Sequence, residues 1–312
     1  MPSRNRSGPA RILMAIAVLI AAAALASCGG NGDSAAKQPT GAVEDQLGFD
    51  ESGILARESR AEGVIRDCMK QQGFEYIPVD PLAKRAAVVG SSRLSDQDFL
   101  EQFGYGISTL WGRGGVQADP NERVRASLSS ADHRAYDFAL GGENPGATFE
   151  RAVDRGDFTQ LGGCRLKATE AVFGGAQLLT QLQQKLDALD DRILEDQRMV
   201  RAIERWSACM GKAGYEYEDP EEIDSDLVGR MEKIVGPIPG PLATGPAPGV
   251  APQPYDHAAL AALQREEVAI ARADSACERR NITPVESVVR PQYEAQFRQR
   301  YQGLMSQVKP VR

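Results

Sequence analysis

The hydrophobic pattern of the chain begins with a short apolar run from Ile12 to Leu25, which follows a segment containing three arginines. A helix that spans a bilayer needs about 20 apolar residues, so this run is too short to be one. A basic segment followed by a short apolar run is instead typical of a secretory signal. We therefore predict a signal peptide over residues 1–27, with an uncleaved anchor as the alternative.

Most of the remaining chain shows apolar residues at the three- and four-residue spacing of amphipathic helices. The longest such pattern runs from about Ala176 to Lys212 and predicts one helix, on the order of 50 Å long. Its coiled-coil-like seam is interrupted only where Asp196 falls, and it comprises Leu179, Leu182, Leu186, Leu189, Ile193, Val200 and Ile203. We favour packing of this seam within the chain, against a second apolar stripe from Tyr293 to Val308, over dimerisation.

A twelve-residue motif occurs twice in the chain. Residues 65–76 read Ile-Arg-Asp-Cys-Met-Lys-Gln-Gln-Gly-Phe-Glu-Tyr, and residues 206–217 read Trp-Ser-Ala-Cys-Met-Gly-Lys-Ala-Gly-Tyr-Glu-Tyr. Cys, Met, Gly, an aromatic residue, Glu and Tyr fall at identical offsets, which indicates an internal duplication. Each copy predicts a helix that ends at the glycine of the motif, Gly73 or Gly214. Glycine readily takes the left-handed conformation found after helix ends.

The aromatic residues of the two copies are Phe74, Tyr76, Tyr215 and Tyr217. In an extended segment, the two aromatics of each copy point to one side and the glutamate between them to the other. These four residues are candidates for ligand binding. The alternative, which we favour, is that they close a small core beside a disulfide.

Five cysteines are present, an odd number. If Cys28 is used for another purpose, four remain: Cys68, Cys164, Cys209 and Cys277. They lack the close Cys-x-x-Cys spacing of common zinc sites, and in an oxidising compartment an even set favours disulfides. No metal site and no cofactor are predicted.

Four cysteines allow three pairings, and the duplication suggests which one is used. Each motif contains one cysteine and is followed much later by another, Cys164 after the first copy and Cys277 after the second. We therefore expect one bridge per repeat, Cys68 with Cys164 and Cys209 with Cys277.

The end of the apolar run reads Leu25-Ala26-Ser27-Cys28 and resembles the bacterial lipoprotein cleavage motif. This resemblance implies acylation of the Cys28 thiol, cleavage just before it, and attachment to the outer face of the cell membrane; an ordinary secreted protein is the alternative. Two or three acyl chains hold a protein firmly, at about 0.8 kcal/mol per buried methylene. The Gly- and Asn-rich sequence that follows predicts a flexible tether over residues 28–50.

With this cleavage motif, the duplicated Cys-Met-x-x-x-Gly-aromatic-x-Tyr sequence and the later Ala-Asp-Ser-Ala-Cys segment at 273–277 resemble uncharacterised exported lipoproteins of actinobacteria. The resemblance implies an extracytoplasmic location and disulfides, and it implies no particular activity. The expected fold is mostly α: two related disulfide-stabilised helical repeats, 51–175 and 176–312, joined by the long helix. A Pro/Gly-rich insertion over 236–254 interrupts the second repeat.

Charge limits the partners that the protein can have. The formal net charge is -7, and loss of the signal peptide would remove three arginines and make it more acidic. An acidic surface argues against binding to nucleic acid and against direct adhesion to anionic lipid. Membrane contact is therefore expected through the lipid anchor.

Sequence patterns of known catalytic sites are absent. Neither His133 nor His257 has the Ser or Cys and acid pattern of a triad, and the acidic run over 216–226 lacks the ligand order of an EF-hand. We therefore expect a non-catalytic interaction or accessory protein that serves an envelope or transporter protein. A ligand-binding lipoprotein is the second possibility, and a cell-wall hydrolase, which would need a pair of facing carboxylates, is the third.

Overall fold

The computed structural model describes residues 42–90, 94–113, 120–238, 245 and 253–311. The predicted signal peptide, Cys28 and the first part of the predicted tether lie outside these residues, as does most of the Pro/Gly-rich insertion. Within the described ranges the chain contains helices and no strands, which confirms the mostly α fold. None of the described helices is long and apolar enough to cross a membrane.

Thirteen helices occur in the described residues. In chain order they are α1 (Val43–Leu47), α2 (Glu51–Gln71), α3 (Pro81–Val89), α4 (Asp96–Phe103), α5 (Pro120–Ala126), α6 (Ser130–Gly141), α7 (Phe149–Arg155), α8 (Gly163–Val172), α9 (Ala176–Leu194), α10 (Gln197–Ala213), α11 (Glu221–Val235), α12 (His257–Asn281) and α13 (Thr283–Met305).

The two copies of the motif end their helices as predicted. Gly214 follows α10 directly and has a left-handed conformation with φ +93°. Gly73 lies two residues after α2 and has φ +85°. A residue with a Cβ is strained at such angles, so the recurrence of glycine at this offset has a direct structural reason.

The helices form two compact units, each discontinuous in sequence. Residues 42–72, 137–189 and 294–311 belong to unit 1, and residues 73–136 and 190–293 belong to unit 2. These ranges do not coincide with 51–175 and 176–312, which were defined by the repeated motif and not by contacts. The origin of the two motif copies by duplication stays a prediction.

Unit 1 is built around the packing of α2 against α8. The predicted disulfide between Cys68 of α2 and Cys164 of α8 is confirmed. An aromatic and aliphatic cluster fills the space beside these helices, and its buried members are Ala152, Phe158, Leu161, Val172, Phe173, Ala176 and Leu179. The seam residues Leu182, Leu186 and Leu189 are also buried within the single chain, in agreement with packing inside the chain.

A buried arginine, Arg57 of α2, holds three separate segments of unit 1 together. Its side chain is 1% exposed. The guanidinium donates hydrogen bonds to four backbone carbonyl oxygens, those of Leu47 at 2.7 Å, Gly48 at 3.1 Å, Val172 at 2.8 Å and Lys309 at 2.7 Å. The same group lies over the rings of Phe49 and Phe173, 5.4 and 5.1 Å from their centroids.

These contacts correct the C-terminal limit of the predicted tether. Residues 43–47 form α1, in which Val43 and Leu47 are buried. Because Val43 and Leu47 are one helical turn apart, they face the same side and bury together. Arg57 then fixes the end of this helix through the carbonyls of Leu47 and Gly48, so residues 42–50 belong to the folded part.

Unit 2 is built around α12, which packs against α4, α10 and α11. The predicted disulfide between Cys209 of α10 and Cys277 of α12 is confirmed. The most buried side chains of α10 and α11 are Met199, Ala202, Trp206, Met210, Ile223, Leu227 and Met231.

The prediction of one continuous helix from Ala176 to Lys212 is wrong. The helix stops at Leu194, and a new helix begins at Gln197. Asp196 has an extended conformation, and its carboxylate accepts a hydrogen bond from the backbone N–H of Arg198. An N-cap aspartate satisfies an N–H group that has no partner at a helix start, so the residue that interrupts the apolar seam also divides the helix.

Candidate functional site

The four aromatic candidates all lie in unit 2 and are all half-buried. Phe74 packs edge-on against the fully buried ring of Tyr136, with 5.5 Å between centroids. The hydroxyl of Tyr217 donates a hydrogen bond to Asp226. Burial is the main cause that raises the pKa of Tyr217 well above its ordinary value, and this hydrogen bond adds to it. Phe74 and Tyr217 thus contribute to closing unit 2, while a ligand-binding role for Tyr76 and Tyr215 stays a prediction.

The acidic run over 216–226 surrounds the start of α11. Asp219 accepts a hydrogen bond from the backbone N–H of Glu221, and Glu222 accepts one from that of Glu218. Acidic side chains are favourable at the N-terminal turn of a helix, where N–H groups point outward. Among the residues that the structure describes, no group of three or more His, Cys, Asp or Glu is arranged to hold a metal ion.

The buried face of α12 carries two carboxylates that each accept several hydrogen bonds. Glu267 is 0% exposed, and its carboxylate accepts hydrogen bonds from the backbone N–H groups of Ile107 at 2.8 Å and Ser108 at 2.7 Å, as well as from the Ser108 hydroxyl. Gln264 donates to the carbonyl oxygen of Ser108 at 2.9 Å. Two side chains of α12 thus supply partners for the backbone of a buried loop, which water cannot reach.

That loop can approach α12 only because it starts with glycine. Gly104 has φ +63°, and a Cβ at this position would lie 3.0 Å from the Cγ of Glu267 and 3.1 Å from its carbonyl oxygen. Ile107 and Leu110 of the loop are buried beside the helix. The carboxylate of Glu267 therefore has a structural role in this arrangement.

A second buried carboxylate on the same face, Asp274, joins two aromatic side chains. It accepts hydrogen bonds from the indole N–H of Trp206 at 2.8 Å and from the hydroxyl of Tyr105 at 2.7 Å. Burial raises the pKa of Asp274, against the lowering effect of both bonds. Trp206 belongs to the repeated motif, and its position beside the Cys209–Cys277 disulfide places this network at the centre of unit 2.

Two further carboxyl groups of unit 2 have raised pKa values. Burial is the main cause that raises the pKa of Asp224 to about 6, and the negative charges of Glu267 and Asp274 add to it. Burial is also the main cause that raises the pKa of Glu278 to about 8, and the negative charges of Asp274 and Glu286 add to it. These acids lie close enough to repel one another, so the folded protein retains protons that the unfolded chain would release.

We predict that Glu278→Gln makes stability less dependent on pH. An unfolded glutamate has a pKa of about 4.3, so between that pH and about 8 the folded state binds more protons at Glu278 than the unfolded state does. The free energy of unfolding therefore falls as pH rises through this window. Thermal melts between pH 4 and 9 should show a shallower decline for the variant.

The matched control for this prediction is Glu204→Gln, which changes an exposed glutamate on α10. An unchanged slope for Glu278→Gln, equal to that of wild type and of Glu204→Gln, would contradict the assignment.

An open groove of unit 2 combines exposed cations with apolar side chains. Its volume is about 330 Å³, and it is lined by Arg198, Arg201, Arg205, Pro284, Val285, Val288 and Val289. The arginines come from α10 and the apolar residues from the first turns of α13. We call this feature the arginine groove. The groove could not be predicted from the sequence because its two walls lie about 80 residues apart in the chain.

The burial pattern of α10 explains the position of the arginines. Met199, Ala202 and Trp206 face the core, which places the arginines along the edge of the buried stripe, at three- and four-residue spacing. Arg198 is fixed in place: its guanidinium donates to both carboxylate oxygens of Asp196, at 2.9 and 2.7 Å, and to Gln292 at 3.0 Å.

The other two arginines of the groove, Arg201 and Arg205, are exposed. No hydrogen bond or ion pair to another described residue engages either guanidinium. Val288, across the groove, is 56% exposed, whereas its neighbour Val289 is fully buried. The groove thus offers free guanidinium groups next to exposed aliphatic surface.

No protein-family model, curated protein or solved structure matches this chain.

Proposed function

We propose that this protein is a non-catalytic interaction protein of the cell envelope, anchored by lipid at Cys28 to the outer face of the cell membrane. It binds an envelope or transporter protein through the arginine groove. The observation that carries the proposal is the groove itself, where exposed Arg201 and Arg205 lie beside exposed Val288. Arginine is enriched in protein-binding surfaces, and the central part of such a surface is more apolar than the rest of the protein exterior.

The use of the cysteines supports the proposed location. The two disulfides account for four of the five cysteines, and Cys28 is the one that remains. Disulfides persist in oxidising compartments outside the cytosol. Cys28 directly follows the small residues at the end of the predicted signal peptide, where acylation of its thiol would anchor the mature chain.

The environment of the buried acids supports a non-catalytic role. Glu267 and Asp274 are held by the loop and by the aromatic groups that they bind. A hydrolase would need carboxylates that face a substrate cleft. The ligand-binding alternative depends on the motif aromatics, of which Phe74 and Tyr217 already pack or bond within unit 2.

The proposal can be tested by site-specific photo-crosslinking in cells that naturally express the protein. A photoreactive amino acid is placed at Val288, in the groove, and the crosslinked products are identified by mass spectrometry. We expect one membrane or envelope protein to be captured at close to one-to-one stoichiometry. A photoreactive residue at Phe138, which is 61% exposed and belongs to unit 1, is the matched control and should not capture it.

Cys28→Ala provides a second control in the same experiment. We predict that mass spectrometry finds acyl chains on Cys28 of the wild-type protein and none on this variant, and that the crosslink is greatly reduced. Wild-type protein that carries no acyl chain on Cys28 would contradict the lipid anchor. Equal capture from Val288 and Phe138, or no capture from Val288, would contradict a groove-mediated role.

A further inference from the structure

We propose that the arginine groove recognises an acidic amphipathic segment of the partner, with carboxylates on Arg201 and Arg205 and aliphatic side chains on Val285 and Val288. This inference rests on the proposed function and adds the chemistry of the partner to it. Three features of the groove carry the argument: its charge, the spacing of that charge, and the adjoining apolar wall.

The charge of the groove is opposite to that of the protein as a whole. The chain has a formal net charge of -7, yet three guanidinium groups line this one feature. Asp196 neutralises Arg198, so Arg201 and Arg205 supply the available positive charge. A guanidinium binds a carboxylate through two parallel hydrogen bonds, which makes an acidic partner the natural complement.

The spacing of the arginines suits a helical segment. Arg201 and Arg205 lie four residues apart on α10, about 6 Å along the helix axis. Side chains three and four residues apart share one face of a helix, so glutamates at such positions on a partner helix can reach successive arginines. A single small anion could bind these guanidinium groups but would leave the adjoining apolar wall uncovered.

The apolar wall adds the second requirement. Val288 is 56% exposed, and Val285 and Pro284 lie beside it in the groove. Covering such surface by aliphatic side chains is favourable, at roughly 25 cal/mol per Å². A partner that presents leucine or valine beside its glutamates satisfies both walls, as amphipathic helices do when they bind in grooves.

A protein segment fits the groove better than an anionic membrane surface does. A bilayer presents negative charge over a wide area, and it would also face exposed acids such as Glu204, on the same helix as the arginines. Such repulsion acts within a Debye length of about 8 Å at physiological ionic strength. A narrow peptide contacts the groove alone and avoids these acids.

The test uses the full chain with Cys28→Ala and a synthetic helical peptide labelled with a fluorophore. One face of the peptide carries glutamate and leucine at three- and four-residue spacing, and a second peptide carries lysine in place of glutamate. We expect fluorescence anisotropy to show salt-sensitive binding of the acidic peptide and no binding of the basic one. Arg201→Glu with Arg205→Glu should weaken binding about tenfold or more, since both arginine–carboxylate contacts are lost.

The matched control is Arg134→Glu with Arg265→Glu, which makes the same change in charge at two exposed arginines that do not line the groove. It should bind the acidic peptide as the parent chain does, and circular dichroism melts verify that both double variants are folded. Equal weakening by the two double variants, or equal binding of the two peptides, would overturn the proposal. Binding to phosphatidylglycerol vesicles that depends on Arg201 and Arg205, without binding to the peptide, would assign the groove to a membrane surface and also overturn it.

The peptide experiment tests the acidic chemistry of the partner, and the crosslinking experiment tests the interaction role, so either statement can be refuted without the other. Capture of a partner from Val288 in cells, together with no peptide binding, would leave the interaction role intact and refute the acidic chemistry. Peptide binding without a crosslinked partner would support the chemistry of the groove and contradict the proposed role in the envelope.

Discussion

Replacing Arg57 by methionine is expected to destabilise the protein by about 4 kcal/mol, because four backbone carbonyl oxygens each lose a donor at roughly 1 kcal/mol. The guanidinium is buried and donates to all four. Methionine fills much of the volume and is apolar, so little of the loss comes from a cavity, although the contacts of the guanidinium with the rings of Phe49 and Phe173 are lost as well. Urea denaturation at neutral pH, followed by circular dichroism, measures the change.

Arg57→Lys and Arg60→Met are the comparison variants. Lysine keeps the charge but lacks the planar fork that reaches several acceptors at once, so most of the loss should remain. Arg60 is an exposed arginine on the same helix, and its replacement by methionine should change stability by about 0.5 kcal/mol or less. A loss below about 1 kcal/mol for Arg57→Met would show that water satisfies these carbonyls.

Removing either disulfide is expected to cost about 4–5 kcal/mol in the chain-entropy model. The bridges join cysteines 96 and 68 residues apart in sequence, and long loops lose the most entropy when they are closed in the unfolded chain. The variants are Cys68→Ala with Cys164→Ala, and Cys209→Ala with Cys277→Ala. Denaturant titration in a Cys28→Ala background measures each loss without interference from a free thiol.

The two double variants control for one another, because the chain-entropy model predicts nearly equal losses of stability from loops of similar length. Reduction of the parent chain by dithiothreitol should lower stability by more than either double variant does. A disulfide variant that unfolds at the same urea concentration as the parent would contradict the expected contribution of that bridge.

The mostly helical fold, the helix ends at the two motif glycines and the disulfides could be predicted because they depend on local signals or on the repeat. Gly73 and Gly214 have the left-handed conformation that their motif predicts. The cysteine pairing follows from one bridge per motif copy. These features need only short-range chemistry and a count of cysteines.

The charged residues of the core were not predicted from the sequence. Glu267 and Asp274 occupy the positions that continue the three- and four-residue apolar stripe of α12 between Leu263 and Cys277. Arg57 lies on the same face of α2 as Ile65 and Cys68, eight and eleven residues later. A charged residue on an apolar stripe was the available signal, but its partners come from distant segments and cannot be read from spacing.

The arginine groove could not be predicted for a related reason. The wall formed by Arg198, Arg201 and Arg205 is visible as a row on one helix, but its significance depends on Val285 and Val288 of another. The helix break at Asp196 also matters, since it sets where α10 begins and where Arg198 lies. In the sequence, this helix break is visible only as the interruption of the apolar seam at Asp196.

The contact between Arg57 and the carbonyl of Lys309 has a consequence for the order in which the protein is built. Unit 1 gathers segments that the ribosome produces early, midway and late, and the last of these follows the whole of unit 2. Domains that fold during synthesis do so as their segments emerge. Unit 1 can reach its final hydrogen-bonded state only after residue 309 has been made, so its completion comes at the end of synthesis, after every segment of unit 2 has emerged.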